Sequence, residues 1–144
     1  MRPTLLLRIA ATVNLLFAAG HTIGFLSFHP SSTAGQAAAN ALAVVFTEDG
    51  SRFSYMGFYK GFGLICTLAM LLIAAWSWWL GELARSMPRA TVPPLAMLLL
   101  YQLGGLVLAL LYFPLPSVLF SVLLPALYAL ALIGAVRGKQ LSSR

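Results

Sequence analysis

Four residues of an otherwise apolar chain have side chains that could do chemistry or hold a ligand: His21, Tyr55, Tyr59 and Lys60. Histidine titrates near neutral pH and suits proton transfer. Lysine offers a positive charge to an anion, although its long stem also lets the ammonium reach water from inside a membrane. We therefore weigh a small anion-binding pocket against a packed histidine and a lysine that only reaches the membrane surface.

Asn14 precedes His21 by seven residues on the same predicted helix. Seven residues correspond to about 700° of rotation, so the two side chains lie on one face. A polar face inside a membrane must point toward protein or water. Asn14 is therefore added to the four candidate ligand-binding residues. For His21 we favour a neutral imidazole that is hydrogen-bonded to a neighbouring helix.

Two Gly-x-x-x-Gly motifs flank these polar residues: Gly20 with Gly24, and Gly57 with Gly61. This spacing clears side chains from a strip of helix and allows another helix to approach closely. One motif contains the histidine and the other contains the lysine. We expect all four glycines to serve helix packing near one membrane surface.

No catalytic residue, metal site or cofactor is predicted. The predicted spans contain no Asp or Glu, so the proton-coupling carboxylate of a small drug exporter is missing. Zinc is not expected, because two histidines and the remote Cys66 make a poor set of ligands. Haem is not expected either, because it would need ligands on facing helices, and His21 and His29 lie on one segment. A dyad of Ser51 or Ser54 with Lys60 has nothing to define its geometry.

Composition places these residues in a membrane protein. The 144 residues are 60% hydrophobic and only 8% charged, with a mean hydropathy of +0.91. A soluble domain would have too little polar surface to cover such a chain. The net charge is +6, but the Lys and Arg residues are scattered at the ends of apolar runs. No nucleic-acid partner is therefore expected.

The apolar runs predict an all-α fold, a four-transmembrane-helix bundle forming a single transmembrane domain over 1–144. The spans lie at about 9–28, 58–80, 92–113 and 117–136, each near the ~20 residues that cross a bilayer. Ala18 and Gly20 would also fit a signal-peptide cleavage pattern. The apolar run continues past that point to Phe28, so a retained first span is preferred.

A short helix is predicted between spans one and two, over residues 33–46. Thr33 and Gln36 have the spacing of a capping box, and the alanine-rich stretch after them favours a helix. It is too short to cross a membrane, so we expect an interfacial helix, which Glu48 to Ser51 should end. A spacer that packs against the spans is preferred to a functional lid.

Loop charges predict the orientation. Two basic residues, Arg52 and Lys60, lie on the side of the helical insert. The others lie on the side of the termini and of the polar link Gly81 to Arg89: Arg2, Arg8, Arg85, Arg89, Arg137, Lys139 and Arg144. Cytoplasmic segments carry the excess of Lys and Arg, so both termini should be cytoplasmic and the insert should face outward.

Two sequence stretches also carry a resemblance. Gly-His-Thr-x-Gly-Phe at 20–25, together with Ser-Tyr-x-x-Phe-Tyr-x-Gly-Phe-Gly-Leu at 54–64, resembles a family of uncharacterised small bacterial four-span integral membrane proteins. The resemblance covers roughly the first half of the chain. It implies a four-span fold in the plasma membrane of a bacterium, the inner membrane, and transfers no catalytic residue.

Three functions fit these observations. The preferred one is a non-enzymatic membrane protein that binds a lipid headgroup or another small anion in an outward-facing pocket. The alternative is a membrane enzyme or small transporter for an amphipathic substrate, with His21 as proton carrier. The third is an assembly subunit or homo-oligomer that uses its glycine faces. Membrane lipid is the expected partner in each case.

Overall fold

The computed structural model describes residues 2–141, with side chains for residues 2–137. Arg144 and the side chain of Lys139, both counted in the orientation argument, lie outside this part. Five α-helices and one short hairpin make up the described chain: α1 Pro3–Leu26, α2 Thr33–Ala43, β1 Phe46–Glu48, β2 Ser51–Phe53, α3 Tyr55–Ser86, α4 Val92–Tyr112 and α5 Leu115–Leu141. A 3₁₀ turn, Pro88–Thr91, precedes α4.

Four of these helical segments are long and apolar enough to cross a membrane: Pro3–Leu26, Tyr55–Ser86, Pro88–Tyr112 and Leu115–Arg137. They correspond to the four predicted spans. As predicted, Pro93 and Pro94 lie in the first turn of α4, where a missing N–H costs nothing. The structure thus confirms a mainly helical chain with four apolar helices of spanning length.

The polar link between the second and third spans is largely helical, which corrects the prediction. Helix α3 continues from the apolar run through Gly81 to Ser86, because Glu82 forms ion pairs with Arg8 and Arg85 and a helix presents residues three apart on one side. At 32 residues, α3 is about 48 Å long, well beyond the ~30 Å of hydrocarbon.

The segment after α1 also differs from the prediction in its details. Helix α2 ends at Ala43, three residues before the expected end at Phe46. Its N-cap is Ser32 and not Thr33: the Ser32 hydroxyl accepts a hydrogen bond from the Gly35 N–H at 3.1 Å. A side-chain oxygen at this position satisfies one of the unpaired N–H groups of the first turn.

A β-hairpin follows α2 and was not predicted. Strands β1 and β2 pair antiparallel, with Phe46 opposite Phe53 and Glu48 opposite Ser51. The turn residues Asp49 and Gly50 have positive φ angles of 49° and 76°. Two consecutive positive φ angles are typical of the type I′ turn that Asp-Gly favours between strands.

The chain divides into two compact units, and α1 and α3 contribute to both. The first unit contains the residues up to Phe17 and those from Leu71 onward. Its core consists of buried side chains from four helices: Leu6, Leu7, Ala10, Leu80, Ala84, Leu95, Leu124, Tyr128, Ala131 and Ala135. The alanines allow close helix approach, and α4 and α5 form an antiparallel pair across the short turn at Pro114.

The second unit, Ala18–Met70, contains the end of α1, helix α2, the hairpin and the start of α3. Only Ala18 is buried among its residues. The unit therefore has no closed apolar core of its own, and its contacts are made between partly exposed side chains.

Candidate functional site

The hairpin is attached to the beginning of α3 by aromatic side chains. Phe46 contacts the rings of Phe53 and Tyr55, with ring centroids 4.6 and 5.2 Å apart. Phe53 in turn contacts Phe58 at 5.1 Å. Edge and tilted contacts of this kind contribute stabilisation in addition to that from the apolar area that they bury. The two short strands are thereby held against the first turns of the helix.

Ser54 joins the hairpin to α3 and caps the helix. Its hydroxyl accepts a hydrogen bond from the Gly57 N–H at 3.1 Å, and its carbonyl accepts one from the Phe58 N–H at 3.1 Å. No acidic residue lies in the first turn of α3, so the positive end of the helix dipole is not offset there. This end of the helix favours a nearby anion.

An open groove of about 510 Å³ lies between the hairpin and α3, and we call it the hairpin groove. It is lined by Val45, Arg52, Phe53, Ser54, Gly57, Phe58, Gly61, Phe62 and Ile65. Gly57 and Gly61 lack side chains, so they leave space along the helix surface. Among the lining residues Arg52 carries the charge. The groove can hold an apolar chain against the phenylalanines and an acidic group near Arg52.

His21 lies outside this groove and contacts the neighbouring helix. Its Nε2 is 3.2 Å from the Gly63 carbonyl oxygen. A carbonyl only accepts, so Nε2 donates its N–H in this hydrogen bond. The contact joins the end of α1 to the beginning of α3.

A second hydrogen bond joins the same two helices beside His21. The hydroxyls of Thr22 and Thr67 are 2.8 Å apart. Each also lies within hydrogen-bond distance of a carbonyl of its own helix, Ala18 at 2.8 Å and Gly63 at 3.1 Å. Since each hydroxyl has one proton, one of them donates to the other, and the accepting hydroxyl donates to the carbonyl of its own helix. Hydroxyl pairs across apolar helices replace the water that a membrane interior lacks. The end of α1 and the start of α3 are thus held together by polar contacts.

The close approach of these helices depends on Gly63, which the sequence reasoning did not single out. A Cβ built on Gly63 would lie 2.8 Å from the Phe25 ring. By contrast, a Cβ on Gly20, Gly24 or Gly61 would meet nothing within 4 Å, and one on Gly57 would meet only the Ser54 hydroxyl at 3.3 Å. The four motif glycines therefore make no close helix contact within the described chain, and their packing role stays a prediction.

Three further predicted ligand residues, Tyr55, Tyr59 and Lys60, are exposed and lie around the start of α3. Tyr55 contacts Phe46, and Tyr59 contacts the edge of Phe25 at 6.3 Å. Among the described residues Lys60 forms neither a hydrogen bond nor an ion pair. None of these residues, nor His21, lines the hairpin groove. The Asp49-Gly50 pair lies between two short runs that favour strands and is typical of a hairpin turn. It was the sequence signal for a hairpin that carries Arg52.

Asn14 belongs to a buried polar network in the first unit. Its Nδ2 donates to the Ala10 carbonyl and to the Tyr128 hydroxyl, each at 3.0 Å. The Tyr128 hydroxyl lies 2.6 Å from the Ser77 Oγ, and Ser77 donates to the Ile73 carbonyl at 2.7 Å. Asn14 is only 1% exposed, so its amide connects three helices and does not reach a ligand from solvent.

No protein-family model matches the chain, and no curated protein and no solved structure shows significant similarity to it. Over the residues that the structure describes, no group of three or more His, Cys, Asp or Glu side chains is placed to hold a metal ion. The function is therefore inferred from the geometry of the hairpin groove.

Proposed function

We propose that this protein is a multi-pass protein of the bacterial inner membrane that binds an anionic amphiphile, a lipid or a fatty acid, in the hairpin groove. In this proposal its four apolar helices form a four-helix bundle, both termini are cytoplasmic, and the hairpin faces outward. The excess of basic residues near the termini supports the orientation. The resemblance at residues 20–25 and 54–64 supports the bacterial membrane.

The observation that carries the binding proposal is the composition of the groove. One guanidinium, Arg52, lines a mainly apolar groove beside the N-terminal end of α3, where no acidic residue offsets the helix dipole. An acidic headgroup would meet Arg52 and the first turn of the helix, and its hydrocarbon would lie against Phe58, Phe62 and Ile65. The positive contact to the anion, which the sequence analysis expected from Lys60, is thus assigned to Arg52.

For His21 the contacts favour packing over proton transfer. The imidazole is committed to the Gly63 carbonyl, and the neighbouring polar groups, Thr22 and Thr67, are hydroxyls that do not titrate near neutral pH. Proton uptake driven by a substrate in liposomes, lost on His21→Gln, would instead support the proton-carrier role.

The binding proposal is tested with a dansyl-labelled fatty acid and its methyl ester, titrated into the detergent-solubilised protein. The parent should bind the acid more tightly than the ester. Arg52→Gln should weaken binding of the acid about tenfold, which is a loss of about 1.4 kcal/mol, and should leave the ester unchanged. Arg137→Gln, an exposed arginine at the end of α5, is the charge-matched control.

A second pair of variants tests the groove itself. Gly61→Leu adds a side chain where a Cβ meets no other atom within 4 Å, so it should fill the groove and reduce binding of both probes without unfolding the protein. Gly20→Leu is equally open at Cβ but lies outside the groove and should bind normally. Equal probe affinities in the parent, Arg52→Gln and Gly61→Leu proteins would refute the proposed site.

A further inference from the structure

A second groove, formed by the beginning of α1 and the end of α3 within the first unit, is strongly basic. It has a volume of about 580 Å³. We call it the basic groove, and it is lined by Arg2, Pro3, Thr4, Leu5, Arg8, Ala84 and Arg85. Three arginines around one open depression would repel each other unless an anion or a carboxylate lies among them.

One carboxylate offsets part of this charge. Glu82 forms an ion pair with Arg8 and another with Arg85 at 3.2 Å. The ion pairs of the described residues do not involve Arg2. Three guanidinium groups against one carboxylate leave a balance of +2 around the groove.

The local structure also orients one of these charges, that of Arg8. The guanidinium of Arg8 is held between Glu82 and the Trp78 ring, whose centroid is 5.1 Å from the guanidinium carbon. The first turn of α1 contains no acidic residue, so the positive helix end adds to the arginine charge. The Arg8 guanidinium is therefore restricted in position before an anion binds, which lowers the entropy lost when the two meet.

We propose that the basic groove binds the phosphate group of an anionic membrane phospholipid. Guanidinium groups bind phosphate through paired hydrogen bonds, and the Thr4 hydroxyl at the groove adds another possible donor. Half-exposed Leu5 lines the groove. Half-exposed Trp78 and Trp79 lie on the preceding turns of α3, and tryptophan is enriched where a membrane meets water. The proposal rests on the membrane location proposed above and not on a ligand in the hairpin groove.

The test is native mass spectrometry of the full chain in detergent, titrated separately with phosphatidylglycerol, phosphatidylcholine and inorganic phosphate. Phosphatidylglycerol should bind most tightly, because its headgroup carries no positive charge to oppose the arginines. Salt should weaken its binding. Inorganic phosphate that bound as tightly, and displaced the lipid, would overturn the lipid assignment in favour of free phosphate.

Variants locate the site. Arg2→Gln with Arg85→Gln should weaken binding of phosphatidylglycerol roughly tenfold or more, whereas Arg2→Lys with Arg85→Lys should retain most of it. Arg137→Gln should bind this lipid like the parent. The glutamine pair should cause the same loss when it is combined with Arg52→Gln, which separates this site from the hairpin groove. If the glutamine pair unfolds at the parent's temperature and binds phosphatidylglycerol like the parent, the proposal is wrong.

Discussion

Replacing Tyr128 by phenylalanine removes a single hydroxyl from the centre of the polar network and leaves the ring that fills the core. The side chain is fully buried, and its hydroxyl accepts from Asn14 at 3.0 Å and donates to Ser77 at 2.6 Å. The direction of donation follows from Ser77, whose own proton goes to the Ile73 carbonyl. Tyr128→Phe therefore breaks two hydrogen bonds that join α5 to α1 and α3.

The size of the effect follows from what each partner retains. Asn14 keeps its bond to the Ala10 carbonyl and Ser77 keeps its bond to Ile73, so neither group is left wholly unpaired. Hydrogen bonds between membrane helices contribute about 0.6 kcal/mol on average and at most about 1.7. For two bonds we expect Tyr128→Phe to lower the free energy of unfolding by about 1–2 kcal/mol.

The assay is equilibrium unfolding in mixed detergent micelles. Tyr101→Phe is the matched control, because that tyrosine is 56% exposed and should lose almost nothing. Ser77→Ala should show a non-additive double-mutant cycle with Tyr128→Phe, since both remove the same bond. A Tyr128→Phe protein as stable as the Tyr101→Phe protein, or additive losses with Ser77→Ala, would refute the network as a source of stability.

Three other substitutions have defined outcomes. Gly63→Ala should lower the free energy of unfolding by about 1–3 kcal/mol, because its Cβ would lie 2.8 Å from the Phe25 ring and the ring must move. Gly61→Ala is the control and should cost nothing. Equal stabilities of the two variants in thermal unfolding would contradict the close approach of the helices. Gly50→Ala, at a φ of 76°, should weaken the hairpin by about 1–2 kcal/mol. We expect weaker binding of the dansyl-labelled acid and an unchanged unfolding temperature. Unchanged probe affinity would show that the groove does not depend on the hairpin. Glu82→Gln should change the unfolding temperature little, since its ion pairs are exposed. It should raise the affinity for phosphatidylglycerol, and a fall would count against the basic groove.

The helices were predictable because their apolar runs are long and uninterrupted. Pro93 and Pro94 marked the start of α4 for a local reason, the missing N–H of proline. The continuation of α3 through Glu82 was missed because its charges read as a loop, while their partner Arg8 comes from a helix distant in sequence. Local pattern alone does not contain that pairing.

The candidate site was less predictable than the fold. Lys60 was chosen because it is a charge embedded in an apolar run, yet Arg52 lines the groove because the Asp49-Gly50 turn folds the chain back along α3. In the sequence Tyr128 is one aromatic residue in an apolar span, and nothing local marks it as part of a polar network. Its role appears only when Asn14 and Ser77, from two other helices, are placed beside it.

The membrane arrangement is tested most directly by cysteine accessibility in intact cells. The chain has a single cysteine, Cys66, so a Cys66→Ser background can carry single cysteines at Ser51 in the hairpin turn or at Ser86 at the end of α3. We predict that a membrane-impermeant maleimide labels Ser51→Cys in intact cells and labels Ser86→Cys only after the membrane is permeabilised. Labelling of both from outside, or of Ser86→Cys alone, would contradict the proposed orientation and the outward-facing groove.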